Sequence, residues 1–489
     1  MKSIKRNLAY NIILNISTVV FPLITAPYVA RVLDPDGVGL YNFANTYAGY
    51  FAVVALLGIP TYGVREVSKS RDDKDKLSHL LSQLMTIAFI TSLIVGLAYV
   101  LTIAFISKLS ENYILFLIAG FAIYLAPLKI NWFYQGIEEF GFITFRSLVI
   151  KTLSVACLFI FVREKSDLVI YIIISVASNV IGDLWNFIKM WKSGVRPSLT
   201  LGGLKQHIKP LLILFSSSIA TTVYTVLGTL MLGFLRDYNE VGYFTAVGQI
   251  TGTLVSGVTS LSVVAVPRVS YYLNNKDFDS ISELLNKSLS FVAFLAIPMA
   301  IGLMCLSATF VPLFFGENFY GGIIPLRILS FLLIAIGLNN LTGIQALIGM
   351  GLDKFFLYSV SIGAIANFML NCFLIPLMGA TGASISSLFS ETLILFITTY
   401  FVYKYTPIRI HKIKDIAKSL CGAIILIPLF YLEGLFFEGW LLVLIFVVTG
   451  GSVYILFEAA VNNSSFGLVY STLRIKFETV LRRKNEKNC

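Results

Sequence analysis

Charged residues are scarce in this chain. Asp, Glu, Lys and Arg make up 13% of its 489 residues, whereas 57% of the residues are hydrophobic and the mean hydropathy is +0.83. A water-soluble protein of this length could not bury so much apolar surface, which excludes a soluble enzyme or a soluble binding protein. Lipid is the solvent that such a composition requires. The sequence therefore predicts an integral membrane protein with only short loops.

Histidine and cysteine are also rare, with three and five residues. No two cysteines have the spacing of metal ligands, and four of the five fall inside apolar runs, so neither a disulfide framework nor a metal site is predicted. His79, His207 and His411 lie far apart in polar loops, and we interpret them as solvated surface residues. The sequence contains no nucleophile–base pair and no phosphate-binding loop, so we expect no catalytic residue and no cofactor.

Long apolar runs are what the chain has in abundance. About fourteen of them reach the length of roughly 20 residues that spans a hydrocarbon core about 30 Å thick. We therefore expect an all-α integral membrane protein with about 14 transmembrane helices, in two pseudo-symmetric six-helix lobes plus two C-terminal helices. The predicted boundaries are an N-terminal lobe at 1–192, a cytoplasmic linker at 193–209, a C-terminal lobe at 210–404, two additional helices at 405–461 and a basic tail at 462–489.

The net charge of +11 is unevenly distributed along the chain. If the N-terminus is cytoplasmic, 28 of the 37 Lys and Arg residues lie in cytoplasmic loops and tails and five lie in outer loops. This asymmetry is the one that sets the orientation of membrane proteins. We therefore expect both termini in the cytoplasm, with the basic tail on the anionic inner leaflet, and no nucleic-acid partner.

An internal repeat supports the two-lobe arrangement. Its first copy is a hairpin of two apolar runs, in which Pro35 presets φ at the turn and Gly37 and Gly39 are expected to supply φ > 0. Four residues recur 203 positions later in the same context: Asp34, Val38, Gly39 and Arg65 match Asp237, Val241, Gly242 and Arg268. A repeat of this length in an apolar chain predicts two homologous helix bundles.

Ionisable residues inside the spans are the candidate site, because each costs about 2.5–3.5 kcal/mol to insert at mid-membrane. In the first half these are Lys129, Arg146, Lys151 and Asp183, and Asn179 shares one helix face with Asp183. Two interpretations stay open. Lys151 and Asp183 could simply pair, or three cations against one carboxylate could leave a positive pocket that binds an anionic head group.

The second half carries fewer such groups. Arg327 lies near the outer end of span ten, where Asn339, Asn340 and Gln345 follow it, and Glu391 lies near mid-depth in span twelve. Glu391 could carry a proton or cation, or it could be hydrogen-bonded within the C-terminal bundle. The density of uncharged polar residues on spans one, two, seven and ten is typical of a wetted cavity.

Several motifs resemble those of the bacterial polysaccharide flippases. These are the O-antigen and capsule repeat-unit translocases of the multidrug/oligosaccharidyl-lipid/polysaccharide exporter superfamily. The resemblance covers most of residues 1–405. The motifs that carry it are VLDPDGVGLY at 32–41, LGIPTYGVREVS at 57–68, NWFYQGIE at 131–138, GENF at 316–319, LRILS at 326–330 and GIQAL at 343–347.

This resemblance implies two six-helix lobes around a cationic central cavity. It also implies a flippase that turns a polyprenyl-pyrophosphate-linked oligosaccharide across the bacterial inner membrane by alternating access, for surface polysaccharide biosynthesis. Lys151, Arg146 and Lys129 would contact the pyrophosphate, while Arg31 and Arg65 would guard the outer and inner mouths of the N-terminal lobe. Implied partners are the lipid-linked substrate, membrane lipid, H⁺ or Na⁺ as a coupling ion, and the polysaccharide polymerase and assembly machinery.

Two rival functions stay open. A cation-coupled multidrug exporter of the same superfamily would favour carboxylates and aromatic residues in its pocket, whereas the cations of the first half outnumber its one membrane carboxylate. A membrane-embedded polysaccharide polymerase or ligase would need a sizeable outer loop, and the predicted outer loops are short.

Overall fold

The computed structural model describes residues 4–463, except for the side chains of residues 4, 5, 8, 217–225 and 413. Within that range the regular secondary structure is entirely helical. The chain divides by packing into two compact units, 1–245 and 246–489. This division lies later in the chain than the predicted linker at 193–209.

The first unit contains nine helices and the start of a tenth. Their bounds are α1 (Ile4–Leu56), α2 (Ile59–Ser70), α3 (Lys74–Phe105), α4 (Ser107–Ser110), α5 (Tyr113–Tyr124), α6 (Asn131–Gly136), α7 (Phe140–Phe161), α8 (Leu168–Lys192) and α9 (Lys205–Leu235). Short 3₁₀ turns at Ala126–Leu128 and Lys165–Asp167 connect some of them.

The remaining helices follow in the second unit, apart from the first turns of α10. Their bounds are α10 (Tyr238–Thr259), α11 (Ser262–Asn274), α12 (Phe278–Phe315), α13 (Ile323–Leu329), α14 (Leu332–Asn339), α15 (Asp353–Tyr405), α16 (Ile413–Ile424), α17 (Leu426–Glu433) and α18 (Gly439–Ala460). A 3₁₀ turn at Glu317–Gly322 precedes α13, and a π-helix at Asn340–Ile348 continues α14.

Nine helical segments in the described range are long and apolar enough to cross a membrane, or eleven if each of two bent pairs is one span. Two of these segments, α1 and α15, are 53 residues long and each contains one residue with non-helical φ/ψ. Each therefore covers two of the predicted spans, and α9 covers the seventh. The protein is an all-helical, multi-pass membrane protein.

The break in α1 lies at Asp34, which has φ 57° and ψ 175°. The prediction that Gly37 and Gly39 take positive φ is wrong, because both continue the second half of the helix. Pro35 explains the position of the break, since a proline cannot donate to the preceding turn and disfavours helical φ/ψ in the residue before it. Lys165 forms an ion pair with the Asp34 carboxylate at this corner.

The two copies of the repeat turn contact each other within the first unit. A Cβ on Gly39 would lie 1.8 Å from the carbonyl oxygen of Tyr238, and a Cβ on Gly242 would lie 2.0 Å from that of Pro35. Three residues further along each copy, Asn42 Nδ2 donates to Thr245 Oγ1 at 3.0 Å. The contacts are 199, 203 and 207 positions apart, so corresponding segments of the two copies pack against each other.

The predicted linker packs on the first unit, which explains why the division by packing comes later. Alternate backbone N–H groups of the linker donate to hydroxyl groups on one face of α3. These bonds are Arg196 N to Ser78 Oγ (3.1 Å), Ser198 N to Ser82 Oγ (2.9 Å) and Thr200 N to Thr86 Oγ1 (3.1 Å). α9 then packs against α1, where the rings of Phe43 and Phe234 lie 5.1 Å apart.

Candidate functional site

A cavity of about 430 Å³ lies among α1, α6, α7 and α8, wholly within the first unit. Four of the predicted site residues line it: Arg146 and Lys151 on α7, and Asn179 and Asp183 on α8. α7 and α8 are antiparallel neighbours, so side chains from the start of α7 meet those from the end of α8. The cavity therefore brings residues of α7 together with residues of α8 that lie 28 to 37 positions later in the sequence.

A constant sequence offset shows how α1 closes one side of this cavity. Thr144 Oγ1 donates to the carbonyl oxygen of Tyr10 at 3.0 Å, and Lys151 Nζ donates to Ser17 Oγ at 3.2 Å. Tyr28 Oη donates to the carbonyl oxygen of Val162 at 2.7 Å. Each of these partners lies 134 residues away, so the first half of α1 and α7 run parallel in one register.

Arg146 is the most buried cation of the cavity, with 5% of its surface exposed. Its Nη1 donates to the carbonyl oxygen of Gly182 at 2.9 Å, whereas its Nε is buried and has no hydrogen-bond partner. Leaving a buried donor unsatisfied costs about 1–3 kcal/mol, and more for a charged group. An anionic ligand oxygen would remove that cost.

Lys151 makes no ion pair with Asp183 within the described structure. Its ammonium is held by the Ser17 hydroxyl and lies 5.8 Å from the centre of the Phe21 ring. Asp183 instead interacts electrostatically with Lys129 and Arg146. The geometry therefore favours the positive pocket over the simple Lys151–Asp183 pair, because one carboxylate is shared between two other cations.

Lys129 interacts with the cavity through the charge of Asp183. It is half-buried and is the residue after the 3₁₀ turn Ala126–Leu128, and it does not line the cavity. Asn179 is exposed to the cavity, and its Nδ2 donates to the carbonyl oxygen of Ser175 at 3.0 Å. Asn131 was not predicted as a site residue; it lines the same cavity and accepts from Asn186 Nδ2 at 2.9 Å.

The structure does not bring Arg31 and Arg65 to this cavity. Arg31 is exposed on α1, three residues before the break at Asp34. Arg65 is exposed on α2, where its Nε donates to Glu66 at 3.0 Å and its guanidinium lies 5.3 Å from the centre of the Tyr62 ring. Their predicted roles at the two mouths of the lobe stay predictions.

The predicted residues of the second half lie in the second unit. Glu391 Oε2 accepts from Asn339 Nδ2 at 2.6 Å. Asn340, the first residue of the π-helix, accepts through its Oδ1 from Ser262, the first residue of α11. Arg327 is on a separate helix, α13, where its Nε donates to Ser307 Oγ at 2.8 Å. Glu391, Asn340 and Arg327 therefore have different hydrogen-bond partners: Asn339, Ser262 and Ser307.

One histidine contradicts the interpretation as a surface residue. His207 is 5% exposed, with its Nδ1 2.8 Å from the Tyr62 hydroxyl and its Nε2 2.8 Å from Gln83 Oε1. His79 and His411 are exposed as predicted. His207 is buried because the linker folds onto α2 and α3 and places this histidine between Tyr62 and Gln83. The spacing of residues in the sequence does not predict this contact.

Comparison with known proteins agrees with this architecture. A family model described as polysaccharide biosynthesis protein matches residues 4–273, which is more than half of the chain. The chain belongs to this family. The match includes every element around the cavity, and it confirms the resemblance drawn from the motifs.

Relatives within the family and solved structures of the same fold extend the comparison. A protein of Escherichia coli K12 named "Putative O-antigen transporter" is 24% identical over 82% of this chain and 97% of its own length. A protein of Haloferax volcanii named "Probable flippase AglR" is 27% identical over 35% of the chain and 36% of its own length.

Two solved structures share the fold. The lipid II flippase MurJ in an inward closed conformation matches with a TM-score of 0.73 and 18% identity over 93% of this chain and 98% of its own. An inward-facing MATE family multidrug transporter of the MOP superfamily matches with a TM-score of 0.61 and 14% identity over 78% of this chain and 93% of its own. At these identities the likeness shows a common fold and no more.

The polar residues at the far end of the cavity were missed by the sequence reasoning. Tyr171 and Ser175 lie on the same face of α8 as Asn179 and Asp183, at intervals of four residues. A polar stripe was recognised from Asn179 onward, but tyrosine and serine are common in membrane helices as packing residues. Extending the stripe by two turns toward the start of α8 would have found both of them.

Proposed function

We propose that this protein is a flippase for polyprenyl-pyrophosphate-linked oligosaccharide repeat units in surface polysaccharide biosynthesis. The observation that carries the proposal is the cavity, in which Arg146 has an unsatisfied buried Nε and Lys151 has no carboxylate partner among residues 4–463. A pyrophosphate offers several anionic oxygens to satisfy both cations. The names of the O-antigen transporter and flippase relatives support the same substrate class.

The proposal assigns no covalent chemistry to the chain. The substrate would enter the cavity with the protein open to the cytoplasm and leave after it opens to the opposite side, by alternating access. We place the protein in the bacterial inner membrane with both termini in the cytoplasm. We also propose the domain arrangement predicted from the sequence. It consists of two six-helix lobes, a linker between them and two additional C-terminal helices.

Residues outside the cavity take roles that follow from their positions. Arg31 and Arg65 would attract the anionic head group at the outer and inner mouths of the first lobe. Glu391, hydrogen-bonded to Asn339, is the candidate carrier of a coupling H⁺ or Na⁺, and Asn340 and Arg327 are further candidate polar residues of the same unit. A drug-cation exporter fits less well, because the cations of the cavity would repel its substrate.

Lys151 provides the test. Lys151→Gln should lower transport roughly tenfold or more, since a hydrogen bond to a charged group is worth about 1.5–3 kcal/mol. Lys151→Arg should retain much of the activity, because either cation can meet phosphate oxygens. The measurement is recovery of surface polysaccharide in the source strain deleted for this protein, with membrane levels checked by immunoblot.

Two further variants make that test specific. Lys192→Gln removes an exposed cation at the end of α8, outside the cavity, and should leave transport unchanged. The double variant Lys151→Gln with Asp183→Asn separates binding from charge pairing. Its recovery to the parental level would contradict the proposal, because it would show that Lys151 serves only to balance Asp183.

A further inference from the structure

The cavity has two chemically different ends. We call Arg146, Lys151 and Asp183 its cationic end, and Tyr41, Tyr171 and Ser175 its tyrosine end. Tyr171 precedes Asp183 by 12 residues on α8, so the two ends are separated by about 18 Å of helical rise. The cavity is therefore elongated along α7 and α8, and one ligand could occupy both ends.

The lining residues that carry a charge are confined to one end of the cavity. Because Arg146 contacts Gly182 and the two helices are antiparallel, Lys151 lies at about the level of Ser178. From there to Tyr171 is seven residues, or about 10 Å. Along this stretch the polar groups that line the cavity are hydroxyls, among the described residues those of Thr18, Thr25, Ser154, Ser175 and Ser178. This part of the cavity therefore suits an uncharged, polar portion of a ligand.

The tyrosine end is organised by contacts among its own members. The rings of Tyr41 and Tyr171 lie 4.3 Å apart at an angle of 44°, and the Tyr41 hydroxyl is 2.8 Å from Ser175 Oγ. Two helices, α1 and α8, thus hold an aromatic pair and a set of hydroxyl groups in place. Hydroxyl groups both donate and accept, and aromatic rings provide a flat apolar face.

We propose that the tyrosine end is a sugar subsite, which binds the first uncharged sugar of a glycosyl pyrophosphate whose phosphates lie at the cationic end. The hydroxyls of Tyr41, Tyr171 and Ser175 complement those of a pyranose, and the tyrosine faces complement its C–H faces. The proposal rests on the proposed function and adds a direction, with phosphate toward Arg146 and sugar toward Tyr171.

The experiment compares two synthetic probes that share a lipid. One is farnesyl pyrophosphate, and the other is farnesyl pyrophosphate carrying N-acetylglucosamine. Binding to the purified full chain in detergent is measured by isothermal titration calorimetry. The parent protein should bind the sugar-bearing probe about tenfold more tightly, which is the gain expected from one or two additional hydrogen bonds.

Variants at the tyrosine end should remove only that gain. Tyr171→Phe and Ser175→Ala should each lower the affinity for the sugar-bearing probe several-fold and leave the affinity for farnesyl pyrophosphate unchanged. Tyr28→Phe is the matched control. Its hydroxyl also connects α1 to another segment, by donating to the carbonyl of Val162 directly after α7. Tyr28 does not line the cavity, so the change should affect neither probe.

The outcomes distinguish the two proposals. If the parent chain binds neither probe, the anion site and the proposed function fail together. If it binds both probes equally, or if the Tyr171 and Ser175 variants weaken both probes to the same extent, the sugar subsite is wrong while the anion site stands. A variant that elutes as aggregate is replaced by Tyr41→Phe, which tests the same hydroxyl cluster from α1.

Discussion

Lys151 shows how a cation can be held in an apolar bundle without being neutralised. Its ammonium has one hydroxyl partner, Ser17, and the face of Phe21 as a second, weaker one. Both stabilise the charge while leaving ammonium protons available, whereas a carboxylate partner would cancel the field. Asp183 lies in the same cavity but is shared between Lys129 and Arg146. The excess of positive charge is thus available to an anion.

Gly39 supports a prediction about packing at the same scale. An added methyl group would lie 1.8 Å from the Tyr238 carbonyl oxygen, a backbone atom that cannot turn aside. We expect Gly39→Ala to destabilise the protein by about 1–3 kcal/mol, the usual cost of overpacking. The measurement is the midpoint of thermal aggregation followed by size-exclusion chromatography in detergent.

Gly49→Ala, on the same helix, is the matched control. A Cβ there meets nothing within 4 Å, so alanine should be neutral or favourable in the helix. Equal midpoints for the two variants would mean that the turn contact does not form in the membrane protein. We expect Gly39→Ala and Gly242→Ala each to lower the midpoint and Gly49→Ala to leave it unchanged.

Residues that line the cavity could be predicted where helix periodicity alone places them, and their role in binding substrate stays a prediction. Lys151, Arg146, Asp183 and Asn179 share one cavity because each has the depth and the face that its position in an apolar run implies. Partner choice could not be predicted from periodicity, since the Ser17–Lys151 contact depends on the register between α1 and α7. That register spans 134 residues and is set by packing along the whole length of both helices.

At the scale of elements, the linker docks on α3 because the spacing of alternate linker residues is close to the spacing of every fourth residue of the helix. Alternate residues of an extended chain are about 6.6 Å apart, and every fourth residue of a helix is about 6.0 Å apart. Ser78, Ser82 and Thr86 can therefore accept from Arg196, Ser198 and Thr200 in turn. The sequence predicted a cytoplasmic linker here, at 193–209. It could not predict this docking, because the linker and α3 lie more than 100 residues apart in the sequence and come into contact only in the folded chain.

We expect His207 to make the attachment of this linker dependent on pH. It lies in the first polar turn of α9, where burial lowers its pKa below the usual value; Glu66 raises the pKa and His79 lowers it, both less strongly than burial. Protonation therefore favours the undocked chain, in which His207 titrates near 6.5. We expect the docked linker to be stable at pH 7.5 and to loosen as the pH falls below about 6.5.

Hydrogen exchange measures this loosening, with rates corrected for intrinsic pH dependence. Amides of residues 196–204 should be less protected at pH 5.5 than at pH 7.5. His207→Gln, which has no charge at either pH, should remove the difference, while His79→Gln on the exposed face of α3 should keep it. Equal protection of the parent chain at both pH values would refute the role given to His207.

At the scale of the whole molecule, the count of spans was predictable and the connections between them were not. Apolar length predicted two helices in each of the segments that became α1 and α15. A single residue with positive φ separates each pair: Asp34 (φ 57°) in α1 and Gly379 (φ 55°) in α15. The sequence indicated a turn near Pro35, but it wrongly predicted that Gly37 and Gly39 take the positive φ in the first copy; Asp34 takes it. There the glycines serve the close contact between Gly39 and Gly242.

The orientation of the chain is a prediction of the charge distribution alone, with 28 of 37 basic residues assigned to the cytoplasm. Two exposed asparagines test it as a matched pair. Asn318, in the 3₁₀ turn before α13, should face outward, and Asn275, at the end of α11, should face the cytoplasm. In a variant without its native cysteines, Asn318→Cys should react with a membrane-impermeant maleimide in intact cells. Asn275→Cys should react only after permeabilisation. The reversed pattern would contradict the predicted orientation, because the cationic end of the cavity would then face the outer leaflet and not the cytoplasm, from which the proposed function loads its substrate.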